Sequence, residues 1–207
     1  PDLRVDARYA PDGEADRQWR SQGVTARLLA PPRGVLRGTS VLVSTGEGEV
    51  GRLVLKPQVA MHASLEPDPQ RSEGYPTSAM GAIALLRQAF CDADWYGRAW
   101  EAYARGKGIP RPEANAPLEA LQRWLAGRLP VMLDCPDELG VLRAQRIAQE
   151  FALNTILRGS GREYRRLDAV KAAGLPLVLP LVFPGSPDVQ TSEAALGVSL
   201  KELMHWA

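Results

Sequence analysis

The chain has 207 residues, 45% of them hydrophobic and 24% charged, and its 25 basic and 24 acidic residues leave a formal net charge of +1. This composition is typical of a globular protein with a core of its own, and the balanced, scattered charges argue against a nucleic-acid partner. No apolar run approaches the roughly 20 residues that cross a bilayer, so we expect no membrane association. The chain opens at Pro1 rather than at a methionine, so we expect any targeting segment to precede it, and the localisation stays open.

The first third of the chain favours one short helix and several short strands separated by glycine and proline. In chain order, these are a helix over 14–22 and strands over 24–30, 39–44, 50–55 and 59–65, with a loop over 33–38. Strands at such close spacing are typical of a hairpin or a small meander. We therefore predict an antiparallel insertion at about 39–65.

A long helix is predicted from Ser78 to about Arg105, and a short one follows over 118–125. Apolar residues of the long helix recur every three or four positions, which is the spacing of a stripe that faces a core. The stripe consists of Ile83, Leu86, Phe90 and Ala93, and an aromatic group of Trp95, Tyr96, Trp100 and Tyr103 extends it. We expect this aromatic group to serve packing rather than ligand binding.

The second half of the chain alternates continuous apolar runs with amphipathic helices. The strands are predicted over 130–134, 154–158 and 175–183, with one helix whose first turn holds Pro136 and a second over 162–173. Continuous apolar runs indicate strands of a parallel sheet that is covered on both faces. The predicted fold class is therefore α/β, and a further helix is expected from Ser199 onward.

Metal ligands are few in this sequence. His62 and His205 are the only histidines, they lie far apart, and neither they nor Cys91 and Cys135 form an H-x-H or C-x-x-C pattern. His62 lies in an apolar strand, where a hydrogen-bonded packing residue is the simpler interpretation, and the two cysteines are expected to be reduced thiols. We expect no metal site and no cofactor in this chain.

Asp134 is the carboxylate best placed for chemistry, because it ends a predicted parallel strand and functional groups collect at such ends. The alternative is that Asp134 caps the helix that follows. The sequence therefore offers Asp134 as a weak candidate for a catalytic residue.

The segment Arg158-Gly159-Ser160-Gly161 follows the next strand and opens the next helix. Glycines, backbone N–H groups and an arginine in this position can hold a phosphate or a carboxylate, and Tyr164 lies close behind. The alternative is an ordinary strand-to-helix turn. Ser160 has no histidine partner and no nucleophile-elbow pattern, which argues against a serine hydrolase. Arg158, Ser160 and Tyr164 are thus candidates for binding a small anionic ligand.

Several segments resemble the amidohydrolase superfamily, in particular its bacterial imidazolonepropionase-like branch. The segment 23–31, with Gly34 and Gly38, is similar to the second barrel strand of that superfamily and its following loop. The other similar segments are 75–82, 86–90, Arg143 with Ile147, 150–151, 156–161 and 200–206. The resemblance covers most of the chain.

This resemblance implies a (β/α)8 barrel that hydrolyses amide or related C–N bonds with a divalent metal such as zinc. In that superfamily the metal is held by an H-x-H after the first strand, histidines after the fifth and sixth, and an aspartate after the eighth. Here Asp134 and Arg158 stand where the fifth and sixth strands would supply histidines, while the first strand would precede Pro1 and the last would follow Ala207. A guanidinium cannot bind a cation, so no ligand position carries over.

We therefore expect residues 1–207 to form a single amidohydrolase-like domain, a partial (β/α)8 (TIM) barrel that is incomplete at both ends and inactive alone. Three functions remain open. In the first, the chain is part of a hydrolase whose catalytic residues lie outside it. In the second, it is a non-catalytic module that binds an anionic small molecule. In the third, it is an assembly subunit with Trp95, Trp100 and Trp206 at an interface. An open-edged part-barrel also predicts self-association or pairing with another chain.

Overall fold

The computed structural model describes residues 1–180 except 69, 71–73, 107, 126 and 128. Its helices are α1 (Gly13–Ser21), α2 (Val50–Leu53), α3 (Ala79–Ala104), α4 (Ala116–Leu125), α5 (Glu138–Glu150) and α6 (Leu167–Ala173). Its strands are β1 (Ala26–Leu29), β2 (Leu36–Thr39), β3 (Val41–Ser44), β4 (Val54–Lys56), β5 (Met61–Ser64), β6 (Val131–Asp134), β7 (Thr155–Arg158) and β8 (Leu177–Val178). Short 3₁₀ helices lie at Asp6–Arg8 and Glu163–Arg166.

The main sheet has the strand order β2-β5-β6-β7-β8 within the described residues. Strands β5 to β8 run parallel, and β2 pairs antiparallel with β5. Ser64 lies opposite Asp134, and Asp134 lies opposite Arg158, so three strands end in one row. The predicted α/β class and the parallel pairing of β6 with β7 are confirmed.

A second, antiparallel sheet has the order β1-β3-β4. It differs from the predicted insertion at 39–65, because it takes in β1 and ends at Lys56, while β5 belongs to the main sheet. All residues of β5 are buried, as expected for a strand that is covered on both faces. The expectation that 23–31 supplies a barrel strand is wrong, since β1 pairs only with β3 among the described residues.

Several predicted boundaries also change. The loop over 33–38 contains most of β2, whose pairing with β5 shifts register at Gly38 (φ +107°). The predicted strand over 50–55 begins with the helical turn α2, and Pro136 precedes the N-cap of α5 rather than lying in its first turn. Within the predicted strand over 175–183, Leu177–Val178 form β8, and residues 181–183 lie outside the described residues, as does the predicted helix at Ser199.

The core lies between the main sheet and helices α3, α4 and α5. Leu86, Phe90 and Ala93 are fully buried, and Ile83 packs against them, so the predicted stripe of α3 is confirmed. The rings of Phe90 and Phe151 lie 5.2 Å apart, which joins α3 to the end of α5. These contacts fix the helices on one face of the sheet.

The aromatic extension of this stripe is only partly a packing group. Tyr96 is buried and its ring lies 6.2 Å from that of Trp100. Trp95 is 62% exposed, because helical periodicity turns it away from the face that Ala93 and Tyr96 share. Tyr103, near the end of the helix, is also exposed. Among the described helices, none combines the length and the apolar character that a membrane crossing needs.

Candidate functional site

The two faces of the main sheet have different surroundings. On β5, Met61 and Ala63 belong to the core cluster under the helices, whereas His62 and Ser64 alternate with them. The same alternation places Asp134 and Arg158 on the face that bears His62, since successive side chains of a strand point to opposite faces. Polar groups from three parallel strands therefore meet at one edge of the sheet, beyond the helical core.

Asp134 is held between two arginines. Its Oδ2 accepts from Nη1 of Arg158 at 2.8 Å and forms an ion pair with Nη1 of Arg37 at 2.7 Å. Arg37 is nearly buried and its Nε donates to the carbonyl of Gly34 at 3.1 Å, whereas the side chain of Arg158 is 55% exposed. The arrangement leaves Arg158 as the accessible guanidinium of the cluster.

Asp134 does not cap the helix that follows it. The Oδ1 of Asp137 accepts from the backbone N–H of Gly140 at 2.6 Å, and Asp137 is the N-cap of α5. The sequence analysis did not identify Arg37, which lies in the predicted loop over 33–38. Its proximity to Asp134 follows from the pairing of β2 with β5, for which the sequence holds no local pattern.

A cavity of about 330 Å³ opens at this edge of the sheet. Its charged lining comes from the ends of successive strands and the loop after β5. These side chains are Arg37, Glu66, Asp68, Asp134 and Arg158, and the remaining lining residues are Pro32, Gly34, Ser64, Pro67, Cys135, Pro136, Gly159 and Ser160. The cavity thus carries charges of both signs.

His62 lies beneath this cluster and is only 4% exposed. Burial lowers its pKa to about 4; Asp134 acts to raise the pKa, and Arg37 and Arg158 act to lower it. The imidazole is therefore neutral at pH 7. Its Nε2 and the Oδ1 of Asp134 are both buried without a hydrogen-bond partner in the described part of the chain. His62 is therefore a buried packing residue, as predicted, but the predicted hydrogen bond at Nε2 is not found there.

The loop after β7 is already engaged by a carboxylate of this chain. The backbone N–H of Ser160 donates to Oε1 of buried Glu163 at 2.6 Å, and that of Gly161 donates to Oε2 at 2.9 Å. The hydroxyl of Ser160 also donates to Oε1, at 3.2 Å. These backbone groups are therefore engaged within the chain, and of the predicted anion site only Arg158 presents an accessible charged donor in the cavity.

Glu163 is a residue that the sequence analysis missed, although the spacing Ser160-x-x-Glu163 matches the capping-box pattern. A Cβ at Gly159 would lie 2.5 Å from Oε1 of Glu163, so a larger residue there would displace this carboxylate. Tyr164 lies outside the lining of the cavity, and its ring faces the guanidinium of Arg165 at 6.0 Å. The structure thus brings together Asp134, Arg158 and Ser160 of the predicted set, but not Tyr164.

Cys135 lines the cavity as a buried thiol. Burial raises its pKa to about 12, with further contributions from nearby carboxylates, Asp134 first. The thiolate is the nucleophilic form of cysteine, so Cys135 is inert at neutral pH.

No group of three or more His, Cys, Asp and Glu side chains could hold a metal ion within the described residues. At the strand ends, Asp134 already has two guanidinium partners on one oxygen. A cation approaching Asp134 would meet two fixed positive charges, which disfavours its binding.

The comparisons with known proteins bear on the fold. The chain is similar to the crystal structure of an amidohydrolase from Thermotoga maritima MSB8, with a TM-score of 0.79 and 18% sequence identity. The match covers 91% of this chain and 50% of that chain, so this chain spans about half the length of the structure it matches. No protein-family model and no curated protein sequence matches it. The described chain therefore has the fold of part of an amidohydrolase.

Proposed function

We propose that this chain belongs to the amidohydrolase superfamily, near its imidazolonepropionase-like branch, and forms part of a (β/α)8 barrel. The similarity in fold and the segments that resemble this superfamily support the proposal. In such barrels the functional site lies at the carboxyl ends of the parallel strands. The cavity around Asp134 and Arg158 occupies that position here, and it is the equivalent of the active site.

Hydrolysis of C–N bonds in this superfamily depends on a bound metal, which polarises the substrate and activates water. In this chain Arg37 and Arg158 form ion pairs with Asp134, at strand ends where a metal ion would require neutral or anionic ligands. We therefore propose that this chain alone does not hydrolyse amides, and that a divalent metal such as zinc belongs to a longer, active relative.

Metal analysis of the purified chain tests this part of the proposal. We expect no stoichiometric zinc, manganese or iron after dialysis, and no amide hydrolysis when these metals are added back. Tightly bound metal in the chain, or metal-dependent hydrolysis by it, would contradict the proposal.

The function that the cavity supports best is the binding of a small molecule through an anionic group. The observation that carries this proposal is the exposed guanidinium of Arg158, since Arg37 neutralises Asp134 from the buried side. Arg37 stays paired with Asp134 when a ligand takes up part of the hydrogen-bonding capacity of Arg158. A guanidinium presents five donors in a fork, so Arg158 has donors left for a carboxylate.

Calorimetric titration with hexanoate tests this binding function. Arg158→Ala is expected to weaken binding by about 1–3 kcal/mol, the range for a charge-assisted hydrogen bond. Arg105→Ala is the matched control, because Arg105 is an exposed arginine at the C-cap of α3 that pairs with Glu101 outside the cavity. Equal affinities of the wild type and Arg158→Ala would contradict the proposal.

An assembly role is the second candidate, and the outermost strand of the main sheet, β8, favours it. Strand β8 lies at the end of the sheet order among the described residues, and Val178 and Leu179 are about half exposed. Exposed apolar edge strands pair readily with another chain. We propose that the chain self-associates or pairs through this edge, and sedimentation at increasing concentration tests it: a monomer throughout would contradict self-association. Trp206 lies outside the described residues.

A further inference from the structure

Along the row of strand ends at the cavity, three carboxylates stand between two arginines. Strand β2 supplies Arg37, the segment after β5 supplies Glu66 and Asp68, β6 supplies Asp134, and β7 supplies Arg158. Arg37 and Arg158 are both paired with Asp134, so these three side chains together carry a net charge of +1. The carboxylates of Glu66 and Asp68 remain as excess negative charge on the β5 side.

Glu66 is the more available of these two carboxylates. Its side chain is exposed and forms no ion pair within the described residues, whereas a carboxylate oxygen of Asp68 accepts from the backbone N–H of Gln70 at 3.0 Å. The backbone N–H of Glu66 donates to Oγ of Ser64 at 3.1 Å. This bond fixes the main chain of Glu66 at the end of β5, beside the cavity.

A ligand with an anionic group alone uses only one side of this cavity. Its negative group would meet Arg158, but the rest of the molecule would lie in the field of two carboxylates on the opposite side. Strands β5 and β7 are separated by β6, so the two sides lie about 10 Å apart at the usual spacing of neighbouring strands. A molecule with a positive group at its far end would meet attractive charges at both sides.

We infer that the ligand of this cavity is a small dipolar molecule, with an anionic group at Arg158 and a cationic group at Glu66. This inference rests on the proposed binding function and adds the second charge. Glu66 then determines specificity, because it favours ligands that carry an ammonium or guanidinium group. Arg158 contributes to the binding of every anionic ligand.

The test compares two probes of similar length, 6-aminohexanoate and hexanoate, by calorimetry at low ionic strength. We expect 6-aminohexanoate to bind the wild type about three- to tenfold more tightly than hexanoate, as one partly exposed ion pair would provide. Glu66→Gln should abolish this preference without weakening hexanoate binding. Arg158→Gln should weaken both carboxylates. Glu113→Gln, at an exposed loop position outside the cavity, is the matched control and should change neither affinity.

The outcomes separate this inference from the proposed function. If hexanoate and 6-aminohexanoate bind equally, and both depend on Arg158, the dipolar ligand is wrong and the anion-binding function stands. If neither carboxylate binds, or neither depends on Arg158, both proposals fail. Retention of the preference in Glu66→Gln would also overturn the role of Glu66. Arg158→Met keeps the aliphatic stem, removes the charge and replaces Arg158→Gln if the latter does not fold.

Discussion

At the scale of single residues, His62 links the site to the stability of the fold. Its pKa is about 4 in the folded chain, against about 6.5 for an unperturbed histidine. Because the unfolded state then binds more protons, the free energy of unfolding falls as the pH drops from about 6.5 to about 4. The penalty is the cost of placing a charge on a buried ring that also faces Arg37 and Arg158.

His62→Asn should remove this pH dependence. Urea unfolding at a series of pH values is expected to show that the wild type loses up to about 2–3 kcal/mol between pH 6.5 and 4 relative to the variant. The difference between the two curves isolates His62 from carboxylates that titrate in the same range. Parallel curves for the two proteins would contradict a buried neutral imidazole.

The two cysteines should differ in reactivity. Cys91 is exposed and Cys135 is buried with its pKa raised to about 12, so iodoacetamide at pH 8 should modify the folded chain at Cys91 alone. Mass spectrometry of the intact chain would show one adduct when folded and two in denaturant. Cys91→Ser is the control and should give no adduct when folded. Rapid modification of folded Cys135 would contradict its burial.

The sequence identified those site residues that follow directly from strand ends. Asp134 and Arg158 close apolar runs, and a parallel sheet brings such ends together. Arg37 was not predictable in this way, because its contact with Asp134 depends on a non-local strand pairing. Glu163 carried a local pattern, yet its effect on Ser160 appears only when the carboxylate turns back onto the loop.

At the scale of elements, hydrophobic periodicity predicted α3, α5 and the central strands well. The predicted secondary structure was wrong where local backbone geometry differs from what hydrophobic periodicity suggests. Strand β2 contains Gly38 with a positive φ, where an added Cβ would overlap the Leu3 carbonyl, and this glycine made the segment look like a loop. Strand β4 is preceded by the helical turn α2, although the residues of both are rich in leucine and valine.

The faces of α3 give a direct test of the packing. Phe90→Ala should lower the free energy of unfolding by about 3–5 kcal/mol, because it empties a fully buried site between α3 and Phe151. Trp95→Ala is the matched control on the same helix and should cost no more than about 0.5 kcal/mol, since its ring is mostly exposed. Denaturant unfolding of both variants measures the difference. Equal losses would contradict the orientation of α3.

At the scale of the whole molecule, the chain is similar in fold to an amidohydrolase over half the length of that protein's chain. The sequence indicated parallel strands and the amidohydrolase-like fold. It also indicated a small antiparallel meander, but not that β1 joins this sheet and β5 belongs to the main sheet. Their pairing depends on contacts across the chain rather than on local patterns.

The account as a whole depends on parallel strands that bring Asp134 and Arg158 into one cavity where an anion binds. A crystal structure of the chain with hexanoate measures this directly. We predict β6 and β7 in parallel register, with the carboxylate of hexanoate within hydrogen-bond distance of the Arg158 guanidinium. Strands β6 and β7 running in opposite directions, or hexanoate bound only away from Arg158, would contradict the account.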